Sequence, residues 1–309
     1  MERRALGTHG PHVSVVGLGC NNFGMRLDAA ATAVVVHAAL EAGINHFDTA
    51  EMYGGGKSEE FLGAALGSRR GEAVIATKYL PRPAGEPYTP GIVATRIREA
   101  AEGSLRRLGT DYIDVYYQHY PDADAPLDEV LGAFNELVHS GKVLHIASSN
   151  ATAAQIEDAV SVSASISVAA FAGTQIAWSL LSRAVEDSIV PAAETAGIGV
   201  VPYFPLASGL LTGKYRRGEA FPPGTRLAGS ERFARDATDA NFTKIEAYES
   251  FAADHGHTLT ELAIGWLLAQ PSVTSVIAGA TRPGQITANV AAAAWALSAE
   301  EAAAVAAIG

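Results

Sequence analysis

Residues 112–119, Tyr112-Ile113-Asp114-Val115-Tyr116-Tyr117-Gln118-His119, read as a β-rich run that delivers an ionisable group at its end. Working back along the chain, residues 73–78 form a second such run ending in Lys78, and residues 44–48 a third ending in Asp48. Tyr53 follows in the next loop. Three successive expected strands thus carry a carboxylate, an amine and an imidazole at their C-terminal tips. Barrel enzymes keep their chemistry at that end.

Further runs at residues 13–18, 143–149, 169–175, 199–202 and 275–278 bring the expected strands to eight. Most recur at about 30 residues, the size of one strand-plus-helix unit. Several are apolar without alternation, as in strands covered on both faces of a parallel sheet. The helices between them are legible too. Leu127, Val130, Leu131, Phe134, Leu137 and Val138 form one apolar stripe, entered at Pro126 and stopped at Gly141. Asp28 is an expected N-cap for residues 29–42, with Gly43 as the stop. Thr258 with Glu261, and Ser298 with Glu301, have capping-box spacing.

Eight repeats without a break in composition favour one α/β domain over residues 1–309, a closed (β/α)8 TIM barrel, over an open doubly wound sheet. A small N-terminal hairpin is expected at residues 4–11. A long loop rich in Gly, Pro and charge, including residues 214–241, is expected after strand 7, and a loop of that size is more often functional than idle.

Bulk properties narrow the function. The net charge of -11 argues against a nucleic-acid partner, because phosphate neutralisation needs a basic face. It equally disfavours an anionic membrane surface. The single Cys20 excludes an internal disulfide and a cysteine-built zinc site, in keeping with a cytoplasmic setting. Residues 5–13 contain glycines, histidines and a proline where a secretory signal needs an apolar stretch. No run has the length of apolar sequence that spans a bilayer.

The four polar residues suit carbonyl chemistry. A carbonyl reduced by hydride needs a proton at its oxygen, and a phenol is a poor acid at neutral pH. An adjacent ammonium would lower the phenol's pKa, so Lys78 is expected to depress Tyr53, with Asp48 holding Lys78 in place. His119 would bond the carbonyl oxygen or share in proton delivery. Taken singly, Tyr53 could be a loop aromatic, Lys78 a surface charge, His119 a core histidine and Asp48 a strand terminator. Joint placement at one barrel mouth favours the chemical reading.

The segments Asp48-Thr49-Ala50-Glu51-Met52-Tyr53-Gly54-Gly55-Gly56-Lys57-Ser58-Glu59 and Leu108-Gly109-Thr110-Asp111-Tyr112-Ile113-Asp114-Val115-Tyr116-Tyr117-Gln118-His119 closely resemble the aldo-keto reductases. So does Gly141-Lys142-Val143, with Ser149-Asn150 after it. The resemblance runs from Gly17 to about Ala293. It implies NADPH dependence and reduction of an aldehyde or ketone. Asp48, Tyr53, Lys78 and His119 match the family's catalytic set, with Tyr53 as the general acid.

The same resemblance places the cofactor. It implies that Ser149, Asn150 and Gln175 bond the nicotinamide carboxamide and that Tyr203 stacks on the ring. Residues 205–214, including Leu206, Ser208 and Lys214, resemble the loop around the pyrophosphate, where small residues let backbone N–H groups approach. Gly279, Thr281, Arg282, Gln285 and Asn289 resemble the adenosine end, and Arg282 would favour NADPH over NADH by binding a 2′-phosphate. Gly17-Leu18-Gly19 is not the dinucleotide fingerprint, because Asn22 stands at its third glycine position. Three positions depart from the family pattern: Ser148 for a branched apolar residue, Trp178 for a tyrosine and Ala288 for an acidic residue.

Specificity is expected from loops over the mouth. Phe23, Tyr88 and Tyr120 are the expected substrate contacts, with Met25, Tyr79 and Trp178 as further wall residues. The short tail after Trp295 offers no long substrate cover, and neither the natural carbonyl compound nor an oligomeric state follows from the sequence. The competing reading is a nicotinamide-sensing regulatory subunit with slow or no turnover. A metal-dependent hydrolase is disfavoured for want of a His-x-His pair.

Overall fold

The eight β-rich runs close on themselves. The computed structural model describes every residue except Ala84 and Ala123. Its barrel consists of β3 (Val16–Gly19), β4 (His46–Asp48), β5 (Val74–Tyr79), β6 (Ile113–Gln118), β7 (Val143–Ser149), β8 (Phe171–Ala177), β9 (Gly199–Tyr203) and β10 (Val276–Gly279). All neighbours are parallel, and β10 pairs with β3 to shut the cylinder. The helices that return the chain are α1 (Ala29–Glu41), α2 (Lys57–Leu66), α3 (Ile92–Leu108), α4 (Leu127–His139), α5 (Ala153–Ile166) and α6 (Ile189–Ala196). After β9 come α7 (Glu231–Ala234), α8 (Asp239–Asp254) and α9 (Leu259–Leu268), and after β10 come α10 (Pro283–Ala292) and α11 (Ala299–Ile308).

Local signals hold in detail. Asp28 accepts from the Ala31 N–H, and both Thr258 with Glu261 and Ser298 with Glu301 form reciprocal capping boxes. The small N-terminal hairpin is present, with wider bounds than expected. The hairpin pairs β1 (Arg3–Ala5) with β2 (His12–Ser14), so residues 4–11 are mostly its turn. The expected strand 13–18 is split. The reason lies far along the chain: the Asn45 side-chain amide oxygen accepts from the Ser14 N–H at 2.6 Å, and the Ser14 hydroxyl donates to the Val16 carbonyl at 2.8 Å.

The hairpin plugs the bottom of the barrel. Leu6 is fully buried among Ala76, Val115, Tyr117, Ala147, Ala172, Val201 and Ile277, the inner core. That plug needs bare backbone around it. A Cβ on Gly173 would lie 2.7 Å from the Leu6 side chain, and one on Gly199 would lie 2.4 Å from the Thr274 hydroxyl. With the lower end filled, a ligand has only the upper, C-terminal mouth.

Candidate active site

Strand parity aims the site. In β5, Thr77 and Tyr79 face the helices while Lys78 faces the barrel axis, fully buried. Its ammonium donates to Asp48 Oδ1 at 2.6 Å and to the Thr49 carbonyl at 2.8 Å. Gln175 on β8 donates its amide to the same Asp48 oxygen at 2.7 Å. The Lys78 nitrogen lies 5.3 Å from the centre of the Tyr53 ring, and that ring meets His119 edge-on at 6.0 Å. Asp48, Tyr53, Lys78 and His119 therefore stand together at one mouth.

The electrostatics correct one expectation. The Tyr53 phenol is pushed well above its usual pKa by burial, with the Asp48 carboxylate adding to the rise. Burial outweighs any help from the Lys78 ammonium. Tyr53 is thus a protonated phenol at neutral pH. His119 is driven down to about 3, first by burial and then by the neighbouring ammonium. Its ring is neutral, and its buried Nδ1 has no hydrogen-bond partner among the described residues.

Beside this cluster runs a polar wall. Asn150, at φ 59°, donates to the His119 carbonyl at 2.9 Å and to the Ser149 hydroxyl at 3.0 Å. Its carbonyl accepts from the Tyr203 hydroxyl at 2.7 Å. Ser149, Asn150, Gln175 and Tyr203 are brought together as expected, but Gln175 is engaged with Asp48. Ser148, out of pattern, is accommodated by bonding the Thr174 hydroxyl at 3.1 Å.

The remaining expected cofactor residues lie around the later strands. Ala207, Ser208 and Gly209 have successive positive φ of 44°, 57° and 99°, a tight turn after the half-buried Leu206 in which the Ala207 and Gly209 N–H groups donate to the Phe204 and Leu206 carbonyls. A Cβ on Gly209 would stand 2.7 Å from the Lys214 ammonium, so that cation lies on the turn. Neither Lys214 nor Arg282 has a carboxylate within ion-pair distance among the described residues. Arg282 is exposed just ahead of α10, while Gly279 is open and Asn289 is buried. Gln285 is partly used: its carbonyl accepts from the Thr281 N–H at 2.7 Å.

The sequence missed two arginines here. Arg226, in the long loop, lies 5.2 Å from the Phe233 ring and 5.7 Å from Phe204. Arg26 ties that loop to the one after β3 through the Gly224 carbonyl at 3.0 Å. No local pattern marks either; only the folded chain brings the loop after β3 to the long loop.

The expected substrate wall is redrawn. Phe23 is fully buried in the outer core, because the chain folds back there in a bridge to Leu27. Tyr79 also faces outward, against Tyr116 and Phe134. Trp178 is buried on Trp266 and donates to Glu186 at 2.9 Å. Tyr88 donates its hydroxyl to Glu129 at 2.7 Å, at the start of α4. Tyr120 does lie at the mouth, stacked on His119 at 4.8 Å and 45% exposed. Met25 and Met52 are exposed on the loops after β3 and β4.

The profile of the aldo/keto reductase family matches residues 15–309. The chain belongs to the aldo/keto reductase family. Relatives of this reductase-family chain carry two kinds of name. It is 37% identical to a probable voltage-gated potassium channel subunit beta of Oryza sativa subsp. japonica, over 94% of this chain and 90% of that one. It is 36% identical to an uncharacterized oxidoreductase of Bacillus subtilis, over 90% and 87% of the two chains. A probable aldo-keto reductase of Glycine max is 35% identical, over 95% and 84%. Among the described residues, no helix is long and apolar enough to cross a membrane, and no group of three or more His, Cys, Asp or Glu could hold a metal ion.

Proposed function

We propose that the protein is a cytoplasmic NADPH-dependent carbonyl reductase with Tyr53 as general acid. The observation that carries this is the Lys78 ammonium, fixed by Asp48 and Thr49 and lying 5.3 Å from the Tyr53 ring. The nicotinamide, when bound, supplies hydride to the carbonyl carbon. Tyr53 keeps its proton until the carbonyl oxygen gains charge, since burial disfavours the free phenolate. Lys78 stabilises the phenolate left behind, having one ammonium proton beyond those given to Asp48 and Thr49. Neutral His119 orients the carbonyl by hydrogen bonding without competing for the proton.

The residues present fit the cofactor. The small-residue turn at 207–209 lets Lys214 offer a cation to a pyrophosphate, and Arg282 offers a fork to a 2′-phosphate. Ser149, Asn150 and Tyr203, joined by hydrogen bonds, form a polar and aromatic wall that suits a nicotinamide. The substrate is a small aldehyde or ketone that packs on Tyr120.

The test is NADPH absorbance with a panel of aldehydes, ketones and sugars, and NADH in parallel. Steady consumption supports the reductase. A second reading, a cofactor-sensing subunit of a larger assembly, is favoured by the names of some relatives. It would show NADPH binding with almost no consumption.

A further inference from the structure

Helix α2 opens on Lys57-Ser58-Glu59, directly after the three-glycine turn that follows Tyr53. Glu59 is fully buried, which is a costly place for a carboxylate. Both of its oxygens are used. One accepts from the Thr77 hydroxyl at 2.5 Å, and the other accepts from Arg107 Nε at 2.6 Å. Thr77 immediately precedes Lys78 in β5. The Arg107 stem supports the turn itself: a Cβ on Gly56 would stand 2.8 Å from its Cδ.

Ser58, also fully buried, ties the same helix end to the two preceding strands. Its hydroxyl donates to the Cys20 carbonyl at 2.9 Å, just past β3, and accepts from the Thr49 hydroxyl at 2.8 Å. Thr49 is the residue whose carbonyl holds Lys78. A hydrocarbon of the same size as Glu59 would fill the space without the desolvation cost. It could not bind β5 and α3 at once.

We infer that Glu59 is a positioning residue that sets Lys78 and Tyr53 relative to each other. It does so through Thr77 on one side and through Arg107 under the glycine turn on the other. The inference rests on the proposed roles of those two groups. Glu59 itself touches neither reacting atoms nor cofactor, so its loss acts on geometry.

The test uses the full-length chain carrying Glu59→Gln or Thr77→Val. With a carbonyl that the wild type reduces, kcat falls about 10-fold in each variant, the cost of a displacement of a fraction of an ångström. KM for the carbonyl and Kd for NADPH stay within about 2-fold, because binding surfaces are untouched. A second measurement needs no turnover. The chain has five lysines, so ¹⁵N-lysine labelling resolves the buried Lys78 ammonium by NMR. Its signal shifts in both variants while those of Lys57, Lys142, Lys214 and Lys244 stay.

An unmoved Lys78 signal in both variants, or an unchanged kcat with only a lower melting temperature, overturns the inference. If the Lys78 signal moves but the wild type consumes no NADPH with any carbonyl, the reductase reading fails and the positioning role stands.

Discussion

The two sides of the barrel mouth are built on opposite plans. Around the tips of β4 and β5, Asp48, Lys78 and, on α2, Glu59 are buried and paired within the protein before any ligand arrives. After β9 and β10, Lys214 and Arg282 lie free of carboxylates among the described residues, with Lys214 beside the small-residue turn at 207–209. One side is finished; the other is completed by what it binds. A reacting group has to be in place before the reaction, since preorganisation lowers the barrier. A cation meant for phosphate is better left without a competing carboxylate.

The contrast is broken most forcefully by attacking the finished side. Lys78→Met leaves Asp48 buried with its charge unmatched, so folding stability drops by about 3 kcal/mol and kcat by about 10³-fold. Urea unfolding and steady-state rates check both. If stability holds, Asp48 and Lys78 are not coupled as described.

Acid should attack the buried histidines. His46 is buried, bonded to Ser275 at 2.9 Å, and driven down to about 4 by burial, while His119 is driven to about 3. Both bind a proton more weakly folded than unfolded. Between pH 6.5 and their folded values the unfolded chain holds more protons, so stability is full above 6.5 and falls as pH drops. For His46 the loss is roughly 3 kcal/mol over the window. Unfolding free energy against pH should slope less in His46→Gln than in the wild type; equal slopes would contradict this. By the same reasoning kcat shows no inflection near pH 6.5 from His119.

The open side should respond in binding alone. Lys214→Ala, or Arg282→Ala, raises the NADPH Kd about 10-fold by removing one charge-assisted contact. Arg282→Ala should also narrow the preference over NADH. A fall in kcat at saturating NADPH would blur the division between the two sides. The smallest effect belongs to the rim: Tyr120→Leu shifts preference among aldehydes by about 3-fold, about 0.7 kcal/mol, from lost aromatic stacking. Rates with aromatic and aliphatic aldehydes measure it.

What could be read from the chain follows the same line. Strand β7 matches its expected bounds, and the caps at Asp28, Thr258 and Ser298 are as expected, because each depends on residues a few positions apart. The break between Ser14 and Val16 depends on Asn45, and the roles of Glu59 and Arg107 depend on a contact 48 residues apart. The sequence brought Lys78 to Tyr53 but not the sign of the outcome. A phenol's pKa reflects desolvation and every nearby charge, and burial outweighs the ammonium here. Phe23 departs from expectation for a like reason: a residue following a strand is expected to face the mouth, but the bridge to Leu27 folds it inward.

The central claim is that Tyr53 gives up a proton beside a fixed ammonium while NADPH is held elsewhere. NADPH binding and NADPH-dependent reduction of a reactive aldehyde, measured for the wild type and Tyr53→Phe, test it most directly. The account predicts unchanged NADPH affinity and a kcat lower by about 10³-fold in the variant. A variant that turns over at near wild-type rate would contradict it.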